Sequence, residues 1–106
     1  MKFSSLITGS IAVAALALPG LALGHADHGN ERTARTLASS CAACHGTNGK
    51  AQEPMPVLAG KSREYIVDRL QSFRSGQRQA TIMHQHAKGY TDEQIVMLAD
   101  YFSRQK

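Results

Sequence analysis

The sequence predicts an all-α domain of three main helices, and three observations support it. After residue 24, apolar residues recur at three- and four-residue steps in three stretches, the period of a helix with one buried face. Two of those stretches are bounded by residues suited to start or stop a helix. No stretch there alternates in Val, Ile and Thr as a half-buried strand does.

The opening of the chain reads as an export signal at residues 1–24. Lys2 supplies a positive start, Leu6 to Leu23 an apolar run, and Ala22-Leu23-Gly24 a small-x-small cleavage pattern. Cleavage is expected after Gly24, with Ala22 as the alternative. A membrane anchor is the rival over those 18 positions, but Ser10, Pro19 and glycines interrupt the run. On this reading the working chain is periplasmic, with no membrane span once the signal is removed.

Residues 25–32 are polar and carry His25, Asp27, His28 and Gly29, so they read as a flexible N-terminal arm ahead of a domain at 33–106. A first helix is expected from about Glu31 to Cys44, with Ala34, Leu37, Ala38 and Cys41 on its inner stripe. Gly46, Asn48, Gly49, Pro54, Pro56 and Gly60 then punctuate a long irregular connection. A second helix should run from near Ser62 to near Gly76, where glycine can take the left-handed conformation that ends helices. Its buried stripe is Tyr65 or Ile66, Arg69 or Leu70, and Phe73. A loop from Gln77 to Tyr90 holds Met83, His84 and His86. The third helix opens at Thr91, whose hydroxyl can pair with Gln94 in a capping box. Ile95, Leu98, Ala99 and Phe102 form its apolar face.

Removal of the signal leaves 82 residues, a size at which a core of side chains alone is marginal. Cys41 and Cys44 are the only cysteines, and a disulfide between them would close too short a loop to staple the fold. A bulky cofactor held covalently would supply the missing apolar surface. Residues 25–106 carry 11 Lys and Arg against 8 Asp and Glu. That balance is too weak for a nucleic-acid footprint, and no arginine-rich run is present. Partner steering is the better use of such a charge.

Cys41-Ala42-Ala43-Cys44-His45 has the form C-x-x-C-H, the attachment sequence for c-type haem. On a helical turn two residues three apart share a face, separated by roughly 5 Å. Both sulfurs can therefore reach vinyl groups on one porphyrin edge and form thioethers. His45 is carried beneath the ring, where an imidazole nitrogen can bind iron. A thioredoxin-like redox pair would need a βαβ pattern that is absent here. A zinc site would need His84 or His86 to join Cys41, Cys44 and His45.

The sixth iron ligand could come from Met55, Met83, Met97, His84 or His86. Met97 falls within the third helix, where methionine is ordinary core filler. Met55 sits only ten positions beyond His45, between two prolines. Met83 lies 38 residues past His45, on the loop between two helices, and is favoured because it can approach from the opposite face. Thioether opposite imidazole raises the potential relative to two imidazoles. His84 or His86 would lower it. If no methionine binds, an open iron position could activate peroxide or hold a small gas; otherwise no catalysis is expected from this chain alone.

From Cys41 onward the chain resembles class I cytochromes c of the c4, c5 and c553 kind. The likeness is carried by CAACHGTNGK, by PVLAG at 56–60, by YIVDRLQSFRSGQR at 65–78, and by TIMHQHAKGYTDEQI at 81–95 followed by LADYFS. The resemblance implies helices wrapped around one covalently bound haem c, with His45 and Met83 as axial ligands. It also implies Pro56 as the carbonyl donor that orients His45. Leu58 is then expected to pack on the haem and Arg78 to pair with a propionate, with plain packing and a solvated charge as the alternatives. The segment from Met83 to Ile95 is similar to the single-haem cytochrome subunit of flavocytochrome c sulfide dehydrogenases. That likeness implies an FAD-containing flavoprotein partner whose electrons the chain takes singly during sulfide oxidation, and a downstream acceptor protein. The alternative is a free-standing shuttle to a terminal oxidase or reductase. Cleavage at Gly24 would also expose a His-Ala-Asp-His terminus, in which His25 and His28 could hold copper.

Overall fold

The computed structural model describes residues 25–106; the expected export signal at 1–24 lies outside them. The described chain forms helix α1 at His25–His45, a 3₁₀ turn at Thr47–Gly49, α2 at Arg63–Ser75, α3 at Met83–Lys88 and α4 at Asp92–Ser103. No strand occurs among the described residues.

Two elements differ from expectation. The stretch 25–32, expected as an arm, belongs to α1. Once a helix is nucleated, each added residue costs little to fix, and Ala26, Glu31, Arg32 and Ala34 are good helix formers. Glu31 is held from two directions, by Arg35 at 3.7 Å one turn along and by Arg104 at 2.6 Å beyond the end of α4. The second difference is α3, which replaces part of the expected loop. Its six residues are too few to show a periodicity, and too few to be stable alone. Tertiary contact sustains it: Ala87 is fully buried and α3 lies against α2.

The other helix ends follow the local chemistry. Ser62 caps α2 by accepting from the Tyr65 amide, and Gly76 ends it at φ 80°. Thr91 and Gln94 form both bonds of a capping box on α4, at 3.2 and 3.1 Å. On α2 the buried stripe is Ile66 with Leu70 packed behind it. Tyr65 faces outward, with the Arg69 guanidinium 4.7 Å from its ring centre.

The first and last helices share the core. Ala34 and Ala38 of α1 cluster with Leu98, Ala99, Tyr101 and Phe102 of α4 and Ile66 of α2, while Leu37, Cys41, Leu58 and Met97 pack around them. Arg63 bridges α2 to Asp100 of α4 at 2.7 Å. Arg74, at the other end of α2, donates to the Tyr90 carbonyl at 3.2 Å and pairs with Asp92.

The connection after α1 is pinned to α4. Asn48 sits at φ 56°, a left-handed conformation tolerated by asparagine, and its side chain accepts from the Tyr101 hydroxyl at 2.7 Å. The Gly49 carbonyl accepts from the Leu58 and Ala59 amides at 2.9 and 3.1 Å, and the Gly60 amide donates to Phe102 at 3.0 Å. Substituting Tyr101→Phe removes one of these ties and is expected to lower stability by about 1 kcal/mol, measured by denaturant unfolding of the haem-loaded protein.

Candidate haem-attachment site

Cys41 and Cys44 stand on the last turn of α1, three positions apart, and are not joined in a disulfide; Cys41 is half-buried against the core and Cys44 is exposed. In a haem-bearing chain these two sulfurs would form the thioethers. Burial pushes the Cys41 thiol up, and hydrogen bonding to the Ser40 and Tyr90 hydroxyls acts in the opposite direction. Gly46 then takes φ 75° and turns the chain out of the helix, so closely that a Cβ would lie 2.5 Å from the Lys50 carbonyl oxygen.

His45 is the one buried polar side chain among the described residues, at 7% exposure. Its Nδ1 lies 2.7 Å from the Pro56 carbonyl oxygen. A carbonyl can only accept, so Nδ1 carries the proton, and in the neutral ring Nε2 is then the nitrogen with the lone pair. The Pro56 carbonyl is itself held in place, because Leu58 and Ala59, two and three residues on, donate to Gly49. The loop thus fixes both the tautomer and the orientation of an imidazole directly beside two thiols.

Met83 is the first residue of α3 and half-buried; His84 is half-buried and His86 exposed. Met55 is half-buried on the loop that carries Pro56, and Met97 packs against the core. Leu58 also packs against the core. Arg78 is exposed beyond the end of α2, its guanidinium 6.0 Å from the Phe73 ring centre. The backbone of His25 and His28 lies in α1, and their side chains lie outside the description. Among the described residues no group of three or more His, Cys, Asp or Glu side chains is placed to hold a metal ion.

One contact at the site was not legible in the sequence. The Tyr90 hydroxyl lies 2.7 Å from the Ser40 hydroxyl, joining residues 50 positions apart next to Cys41. Nothing local in either segment signals such a pair.

The donor set fits haem: two thiols at one edge of a helical turn, and an adjacent imidazole presenting an unprotonated nitrogen. Comparison with known proteins agrees. The cytochrome c family model matches residues 31–106, and the chain belongs to that family. It is an electron-transfer protein carrying covalent haem c on the class I cytochrome c fold.

Over 72 residues it is 47% identical to the cytochrome subunit of sulfide dehydrogenase of Chlorobaculum tepidum, covering 68% of this chain and 66% of that protein. It is 39% identical over 71 residues to cytochrome c-554(548) of Halomonas halodenitrificans, covering 63% of this chain and 86% of that one. Among solved structures, cytochrome c4 of Acidithiobacillus ferrooxidans aligns with a TM-score of 0.64 at 32% identity, over 71% of this chain and 49% of that chain. The chain therefore spans about two thirds of the first relative and about half of the cytochrome c4. No described helix is long and apolar enough to cross a membrane.

Proposed function

We propose that the chain is a periplasmic electron-transfer subunit of a flavoprotein sulfide dehydrogenase, accepting electrons singly from FAD and passing them to a downstream protein. Cys41 and Cys44 form the thioethers, His45 Nε2 and Met83 Sδ hold the iron, and Leu58 and Arg78 contribute to the haem surroundings. Bound haem supplies a one-electron couple between ferric and ferrous iron.

The protein's own part is to hold the ligands still. The observation that carries the reading is the 2.7 Å contact from His45 to Pro56. It makes Nε2 a better donor and prevents the ring from rotating. A ligand set that does not rearrange with oxidation state keeps single-electron exchange free of bond making and breaking. Replacing Met83→His is expected to lower the reduction potential, on the order of 100 mV or more, measured by redox titration of the visible spectrum. An unchanged potential would remove Met83 from the iron.

The partner assignment is supported by the 47% identity to a sulfide dehydrogenase subunit and by 38% identity to the thiosulfate dehydrogenase electron acceptor of Thiomonas intermedia. Affinity purification of the tagged chain from its own cells is expected to bring down an FAD-containing protein in equal amount. Recovery as a lone monomer would favour the free shuttle instead. That second reading draws on the Halomonas relative, a cytochrome that this chain matches over 86% of its length.

A further inference from the structure

We infer that Tyr90 is a positioning residue for the sixth iron ligand, tying the segment that bears Met83 to the cysteine-bearing turn of α1 through its hydroxyl bond to Ser40. The inference rests on Met83 being that ligand.

Met83 begins a helix of six residues with no side-chain cap at its start. Such a helix has little stability of its own, so what holds Met83 in place must come from its surroundings. Ala87 anchors the middle, fully buried. The far end is held at Tyr90, where three bonds converge. Its amide donates to the Ala87 carbonyl at 3.3 Å. Its carbonyl accepts from Arg74 of α2 at 3.2 Å. Its hydroxyl meets Ser40 of α1 at 2.7 Å, and the ring packs against the core.

Of these, only the hydroxyl reaches the element that carries Cys41, Cys44 and His45, through Ser40 at 2.7 Å and through its contact with the Cys41 thiol. The Arg74 bond fixes α3 relative to α2, and Ala87 is buried within the same region. The Tyr90 to Ser40 bond therefore sets the spacing between the two sides from which iron is gripped. Without it, α3 can move outward while the fold persists, and an external ligand can take the place of Met83 more easily.

Imidazole provides the test, because it competes for ferric iron and its binding abolishes the weak near-infrared sulfur-to-iron band. The haem-loaded full chain would be titrated as wild type, Tyr90→Phe, Ser40→Ala and the double variant. Each single variant is expected to bind imidazole roughly five-fold more tightly, the factor for one modest hydrogen bond. The double variant should gain no more than Tyr90→Phe alone, since Ser40→Ala removes a contact that Tyr90→Phe has already removed. Ser103→Ala, which removes a hydroxyl bond to the Asp100 carbonyl at the end of α4, should leave imidazole affinity at the wild-type value.

A wild-type ferric spectrum lacking the band would overturn the Met83 assignment and this inference together. A normal band with Tyr90→Phe within two-fold of wild type would overturn the tie alone. So would single effects that add, or a Ser103→Ala shift as large as that of Tyr90→Phe.

Discussion

Protein carrying Cys41→Ala and Cys44→Ala together is expected to hold no covalent pigment and to lose its cooperative unfolding transition. The thiols are the only covalent anchors the chain offers, and Cys41 also packs against the core. In a domain this small, the haem's apolar surface is a large share of what can be buried. A total stability of roughly 5 to 10 kcal/mol leaves no reserve for its loss. The check is a haem-stained denaturing gel with acidified acetone extraction, followed by thermal circular dichroism. Pigment that stays with the doubly substituted polypeptide through the extraction would refute thioether attachment at these positions.

The second large effect is expected at a residue that carries no chemistry. A Cβ at Gly49 would lie 2.8 Å from both Leu58 Cβ and Phe102 Cδ1 and 2.9 Å from the Ala59 amide nitrogen, at a backbone φ of 76°. Strain and overpacking act together there, and Gly49→Ala is expected to cost about 3 to 5 kcal/mol. Gly76→Ala shares the left-handed backbone, at φ 80°, but has no atom within 4 Å of its Cβ position. It should cost only about 1 kcal/mol. The difference between the two, read from denaturant midpoints, separates crowding from backbone strain. Because the Gly49 carbonyl holds Leu58 and Ala59, its substitution should also disturb Pro56 and shift the reduction potential, whereas Gly76→Ala should not.

The parts of this architecture legible in the sequence are those written in neighbouring residues. The capping box at Thr91 and Gln94, the glycine stop at Gly76 and the stripe of Ile95, Leu98, Ala99 and Phe102 are all local patterns, and each occurs as expected. The C-x-x-C-H turn is local as well. The periodicity of α2 left Tyr65 and Ile66 as equal candidates, because each fits a helical stripe; only packing against α4 settles Ile66 as the buried one.

What the sequence did not disclose depends on distant residues. Helix α3 is sustained by burial against α2, and the early start of α1 is tied by Arg104 from the other end of the chain. The bonds from Tyr101 to Asn48 and from Tyr90 to Ser40 join segments about fifty residues apart. Asn48, Gly46 and Gly49 could be read as turn formers. Their role in locking the loop that orients His45 needed the fold.

The pairing of α1 with α4 has a consequence for how the protein is made. The two helices that share the core are the first and last described elements of the chain, so the interior cannot close until the final turn has been delivered. A chain emerging N-terminus first presents its two sulfurs well before the partner helix that will pack beside them. Long-range closure of this sort is slow compared with local helix formation, which leaves an interval in which the attachment turn is formed, open and accessible to whatever installs the prosthetic group.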